Sequence, residues 1–212
     1  MSDKQTMISP EKALPGRSTP LVVEDIHYVN QTSLTAPLSP DQAEILIGMG
    51  CFWGAERLFW ALEGVISTSV GYSGGYTPNP TYEEVCSAQT GHAEVVRVVY
   101  QPAKLPLAGL LAHFWEKHDP TQGMRQGNDI GTQYRSALFV FDQQQMNAAC
   151  DSKDQYQALL GDGVEKRITT EILPAGEYYL AESYHQQYLA KNPNGYCGLG
   201  GTGVCFPPSL QA

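Results

Sequence analysis

The stretch Ala43-Glu44-Ile45-Leu46-Ile47-Gly48-Met49-Gly50-Cys51-Phe52-Trp53-Gly54-Ala55-Glu56-Arg57-Leu58-Phe59-Trp60-Ala61-Leu62 changes character at its middle. Its first seven residues, Ala43–Met49, are a short apolar run that ends at a glycine, which suits a buried strand. From Cys51 to Leu62 the pattern becomes helical. Leu58, Phe59 and Leu62 fall on one face, Glu56 and Arg57 lie on the other, and Gly64 is a stop signal just beyond. A strand therefore turns directly into a helix, and Cys51 stands at the junction. A helix start offers free backbone N–H groups and the positive end of the helix dipole, and both favour a thiolate. Cys51 is thus a candidate nucleophile, although the same position also suits a small buried apolar residue.

Outward from this unit the elements alternate. Val65–Tyr72 reads as a second strand, followed by the loop Ser73–Pro80. Thr81 with Glu84 three residues on has the form of a capping box opening a short helix. Glu94–Tyr100 is β-branched and strand-like, and Leu107–His118 carries Leu110, Leu111, Phe114 and Trp115 on a helical face. Ser136–Phe141 reads as a strand, Gln143–Leu160 as a helix closed by Gly161, Ile168–Ile172 as a strand and Ala181–Ala190 as a helix. The order β-α-β-β-α-β-α-β predicts an α+β or α/β protein, a mixed sheet covered by helices, and points to a two-layer plait. Residues 1–41, with five prolines and no period, read as an irregular arm. Residues 42–212 read as one domain whose glycine-laced tail, 192–212, should be mobile.

The 212 residues carry 13 Lys+Arg against 22 Asp+Glu, a net charge of −9, which argues against a nucleic-acid or anionic-membrane partner. No apolar run approaches the roughly 18 residues of a membrane span, and no apolar core follows the N-terminus as in a secretory signal, so a cytoplasmic location is expected. In a reducing compartment the five cysteines should not form a static disulfide framework. No pair has CxxC spacing and no histidine pair stands at finger spacing, so no metal site is expected. Cys197 and Cys205 lie in a run rich in glycine, which fits a sulfur that must travel to meet another. Cys86 and Cys150 read as semi-buried helix residues. Glu94 opens an apolar strand, where desolvation would raise its pKa and equip it as an acid near neutrality; an exposed strand-start glutamate fits the sequence as well. Phe52 and Trp53 suit either a greasy slot beside the thiol or the core.

Five ordered segments carry a resemblance. Gly50-Cys51-Phe52-Trp53-Gly54-Ala55-Glu56, Gly71-Tyr72-Ser73-Gly74-Gly75, Gly91-His92-Ala93-Glu94, Asp129–Ser136 and Tyr184-His185-Gln186-Gln187-Tyr188-Leu189 are similar to the signatures of the peptide methionine sulfoxide reductase A family, in its longer, three-cysteine bacterial form. The resemblance implies a ferredoxin-like two-layer α/β plait, with extended coil at both ends, and reduction of the S epimer of methionine sulfoxide, free or in a protein. It implies Cys51 as the nucleophile, Glu94 as the acid, Tyr82 and Tyr134 as donors to the sulfoxide oxygen, and Phe52 and Trp53 lining a methyl pocket. Asp129 would help organise that pocket. Cys197 would condense with the Cys51 sulfenic acid, Cys205 would then attack Cys197, and thioredoxin would regenerate the enzyme. No cofactor is implied, and a monomer is expected. Two rivals have other chemistry: an acyl-transfer hydrolase using Cys51 with His92 or His185 as base, and a non-catalytic module that binds oxidised methionine through Phe52 and Trp53.

Overall fold

The computed structural model describes residues 4–207. The chain runs β1 (Ala43–Met49), α1 (Phe52–Trp60), β2 (Val65–Ser73), α2 (Tyr82–Cys86), β3 (Ala93–Tyr100), α3 (Leu107–Lys117), β4 (Arg125–Gln126), β5 (Asp129–Ile130), β6 (Ser136–Val140), α4 (Gln143–Leu160), β7 (Glu171–Pro174), β8 (Tyr178–Leu180) and α5 (Tyr188–Lys191). Six strands form one sheet in the order β7-β6-β1-β3-β2-β8, and β4 pairs with β5 in a small ribbon. The neighbours β1–β3, β1–β6, β2–β3 and β2–β8 are antiparallel, whereas β6–β7 is parallel, so the sheet is mixed. The class is α+β, as the alternation of elements predicts.

Strand periodicity sorts the core. Ile45, Ile47 and Met49 of β1 join Val70, Tyr72, Val96, Val98 and Leu138 under the helices, where Phe59, Phe114, Trp115 and Tyr156 meet them. Leu46, between them in sequence, points to the opposite face with Val95, Ala137 and Phe139. Trp115 donates its indole N–H to Ser152 Oγ at 2.9 Å, which satisfies the one polar atom of a fully buried ring and joins α3 to α4.

The expected capping box is formed: Thr81 Oγ1 accepts the Glu84 N–H, and the Glu84 carboxylate accepts the Thr81 N–H. Asp142 caps α4 by accepting the Gln145 N–H, while the Gln145 side chain accepts the Phe141 N–H. The strands β4, β5 and β8 were not expected, and two expected elements differ. The seventh strand lies at 171–174 rather than 168–172, because Ile168 turns into the core while its N–H is taken by the Gln157 side chain. The expected helix at 181–190 is mostly turn and only Tyr188–Lys191 is helical. There Gln186 uses its amide to bond both the N–H and C=O of Val70, and Gln187 adopts a left-handed backbone at φ 48. Those tertiary bonds replace the helical ladder.

Residues 4–41 form an irregular strap with one 3-10 turn at Pro10–Lys12 and a single bridge between Ile26 and Ser33. Leu34 is buried, Arg17 pairs with Glu84, and the Leu14 N–H donates to the Gln89 carbonyl. The tail lies docked through residue 206, where mobility was expected. Tyr156 Oη donates to the Val204 carbonyl, and Phe206 packs its ring on Tyr156. The expected arm and tail extend to residues 1–3 and 208–212, which lie outside the described residues.

Candidate active site

Gly50 carries the chain from β1 into α1 at φ +88, with the Gln126 side chain where a Cβ would stand, so both its backbone and its space call for glycine. Cys51 is the N-cap residue of α1, at the strand-to-helix junction expected from sequence. Across from it stands Glu94, in register with Tyr72 on the neighbouring strand and 1% exposed. Its Oε2 accepts the Phe52 N–H at 3.0 Å, so the carboxyl reaches the first free amide of the helix that Cys51 caps.

Burial raises the Glu94 pKa to about 8; the Phe52 N–H pulls it down and Asp129 pushes it up. The raised carboxyl matches the sequence expectation. The thiol does not: burial pushes Cys51 up, the Glu94 charge adds to this, and the Trp53 N–H opposes both without reversing them. The helix start favours thiolate as expected, but desolvation in a site shared with a carboxyl outweighs it. At neutral pH the pair is therefore a thiol beside a protonated acid.

Tyr82 opens α2, which the backbone bond from Tyr82 N–H to Glu182 Oε1, 2.8 Å, holds in place. Burial, Cys86 and Glu94 raise the Tyr82 hydroxyl pKa, so it remains a donor. Tyr134 closes the turn at 132–134 and is raised by burial and by Glu94, Cys86 and Cys51. Both tyrosines therefore share the electrostatic neighbourhood of Glu94. Cys86, which the sequence left as a plain helix residue, adjoins the site: it shares a hydrogen bond with the Tyr82 hydroxyl. Cys150 is exposed on α4 rather than semi-buried, because α4 turns only Gln145, Ala149, Tyr156 and Leu160 fully inward.

Asp129, in β5, accepts the Tyr196 hydroxyl at 3.2 Å and is raised by burial. Cys197 is half-buried and close enough to Cys51 to raise its thiol, whereas Cys205 is exposed farther along the tail. Phe52 and Trp53 part company. Phe52 is 1% exposed in the core, between Tyr72 and His185. Trp53 is half-buried and stacks on Tyr188 at 4.0 Å, with its indole N–H donated to His185 Nδ1 at 3.0 Å. Tyr188, Tyr196 and Glu182 were given no role from sequence, and His185 only that of a base in the hydrolase reading. For His185 and Tyr188 the signal was the Tyr184–Leu189 segment, whose histidine and tyrosine wrap the Trp53 ring.

Neither histidine of the hydrolase reading is free to act as base. His92 Nδ1 accepts the Gly75 N–H and its Nε2 bonds the Thr77 carbonyl at 2.8 Å. His185 is committed to Trp53, and burial lowers its pKa to about 4.

The family model described as peptide methionine sulfoxide reductase matches residues 43–202, three-quarters of the chain. The chain belongs to the peptide methionine sulfoxide reductase family. It is 69% identical over 211 residues, spanning 100% of both chains, to the peptide methionine sulfoxide reductase MsrA of Vibrio parahaemolyticus. Its fold superposes on methionine sulfoxide reductase A of Corynebacterium diphtheriae with a TM-score of 0.85 and 47% identity, covering 91% of this chain and 93% of that one. It also resembles in fold the Saccharomyces cerevisiae protein Mxr1, solved in complex with Trx2, with a TM-score of 0.53 and 23% identity over 79% of this chain and 94% of that one. The reductase is an oxidoreductase that returns methionine sulfoxide to methionine. Among the described residues no helix is long and apolar enough to cross a membrane.

Proposed function

We propose that Cys51 attacks the sulfur of the S epimer of methionine sulfoxide, free or in a protein, while Glu94 gives its proton to the sulfoxide oxygen. The observation that carries this reading is the buried Glu94 carboxyl, raised to about 8 and bonded to the amide that follows Cys51. A sulfoxide oxygen leaves poorly until it is protonated, and an acid that is still protonated at neutral pH supplies that need. A Cys51–substrate S–S bond forms as the oxygen gains the Glu94 proton, and the thiol proton of Cys51 restores the carboxyl. The oxygen then passes to Cys51 with cleavage of the substrate S–O and S–S bonds. Methionine leaves, and Cys51 remains as a sulfenic acid. Tyr82 and Tyr134 donate to the oxygen as charge develops on it, Asp129 holds the pocket through Tyr196, and Trp53 lines the methyl slot with Phe52 as its buried backing.

Cys197 condenses with the sulfenic acid, releasing water. Cys205 then exchanges with Cys197, and thioredoxin reduces the resulting disulfide. The docking of Cys197 beside Cys51 and the exposure of Cys205 support this order. We place the enzyme in the cytoplasm as a monomer. The strands β6-β1-β3-β2, with α1 and α3 as crossovers, are read as a ferredoxin-like plait to which β7 and β8 are added, all within one catalytic domain, 42–212, preceded by the 1–41 arm.

The test mixes reduced protein with one equivalent of each epimer of a methionine sulfoxide peptide and counts methionine formed and thiols lost. One methionine per enzyme from the S epimer alone is expected. Equal yields from both epimers, or a stable complex without product, would overturn the reading.

A further inference from the structure

Gly54 stands at the third position of α1, two residues past Phe52 and within the first turn. Glycine is a poorer helix former than alanine, and the backbone is ordinary helix, so no left-handed conformation demands it. The reason lies outside the helix. A Cβ at Gly54 would stand 2.8 Å from Cys197 Sγ and 3.3 Å from Leu199 Cβ, with the Leu199 N at 3.9 Å. The resolving sulfur occupies the volume that any side chain would fill. The tail is held on both sides of this contact: Tyr196 donates to Asp129 before it, and Leu199 packs against the core after it. A sulfur so held cannot give way as the end of a long flexible side chain would.

We propose that Gly54 is a positioning residue for the recycling step: its missing side chain seats Cys197 over the first turn of α1, within reach of an oxidised Cys51. The step it serves is Cys51-SOH plus Cys197-SH giving the Cys51–Cys197 disulfide and water. The Cys197 sulfur is oxidised, the sulfenic sulfur is reduced, and the hydroxyl leaves with the Cys197 proton. With the seat filled, the tail is displaced outward and the encounter must await a tail fluctuation. The proposal rests on the assignment of Cys197 as the resolving cysteine.

The experiment compares the parent enzyme with Gly54→Ala in a single turnover without reductant, following methionine, dimedone-reactive Cys51 and free thiols together. The methionine burst is expected to persist, while disulfide formation slows at least about fivefold and sulfenic acid accumulates, since filling an occupied volume displaces the tail. An unchanged rate of disulfide formation, or a burst that falls by the same factor, would overturn the proposal. A stability cycle adds a readout that does not use activity. Gly54→Ala should lower Tm in the parent relative to its effect in a Cys197→Ala background, because there the alanine meets no sulfur; equal shifts in both backgrounds would overturn the seat. If the parent itself formed methionine without losing the Cys197 thiol, the resolving assignment would fail instead, whatever the alanine variant did.

Discussion

Replacing Glu94 by glutamine removes one proton from the site and little else. The amide keeps an oxygen to accept the Phe52 N–H that Glu94 holds at 3.0 Å, and its volume is the same. With the pKa raised to about 8, about nine-tenths of the parent carboxyl is protonated at pH 7 and only about one-tenth at pH 9. A carboxyl with the ordinary value of 4.5 would be almost wholly ionised at pH 7, so burial keeps Glu94 protonated. With Glu94 as the proposed proton donor, the parent rate should sit on a plateau below pH 8 and fall as pH rises through it. Cys51 is itself pushed upward, so its ionisation does not account for that fall. Loss of a positioned acid costs roughly 10²–10⁴-fold, or about 3–5 kcal/mol of barrier. The assay is rapid-quench measurement of methionine formed in the first turnover, without reductant, between pH 6 and 10. Glu94→Gln should be slower by that factor at pH 7 and should show no bend near pH 8. A variant within about threefold of the parent, or one that kept the bend, would refute the acid role.

Other outcomes follow from the same geometry. Tyr82→Phe and Tyr134→Phe should each slow the first turnover about threefold to tenfold, the worth of one hydrogen bond, and the double variant should lose more than either; rapid quench reads both. Cys205→Ser should leave the first methionine and the Cys51–Cys197 disulfide intact but cut thioredoxin-driven turnover at least about tenfold, as steady-state assay against single turnover would show. Glu56 of α1, which the sequence placed on the face opposite Leu58 and Phe59, is wholly buried, accepting from Gln187 and Thr68, and burial raises its pKa from 4.5 to about 7. The folded protein therefore keeps a proton that the unfolded chain releases, so this contribution is full below pH 4.5 and lost as pH rises through about 7. Glu56→Gln should flatten that part of the fall, up to about 3 kcal/mol, in urea titrations at pH 5 and pH 8. An equal pH dependence in the two proteins would contradict it.

Much of this was legible in the chain because local signals agreed with tertiary ones. Ala43–Met49 alternates faces as a strand buried on both sides, and the break at Gly50 placed Cys51 at the helix start. Thr81 and Glu84 specify their own cap. For Glu94 the apolar strand that follows it left two readings open, a raised acid and an exposed strand-start glutamate, and its burial in the fold decides for the first. The misses come from interactions between distant segments. Composition favoured a helix at Ala181–Ala190, but the Gln186 side chain bonds the β2 backbone and Gln187 is fixed by Glu56, over a hundred residues away. The tail's glycines suggested slack, whereas Tyr156 and Asp129 hold it down. The direction of the Cys51 pKa depends first on how deeply the thiol itself is buried and then on the Glu94 charge beside it, which sequence spacing does not encode. His185 and Tyr188 stood inside a recognised segment, yet their role as the support of Trp53 emerges only when the chain folds back across α1.

If oxidation leaves the substrate and lands on one sulfur, Cys197→Ser should hold it there, because the product of the first step then has no resolving partner. After one turnover with the S sulfoxide, dimedone and peptide mass spectrometry should find one adduct at Cys51 for each methionine released, with Cys86, Cys150 and Cys205 unmodified. Methionine released while Cys51 stays a free, unlabelled thiol would rule out Cys51 as the sulfur that takes the oxygen.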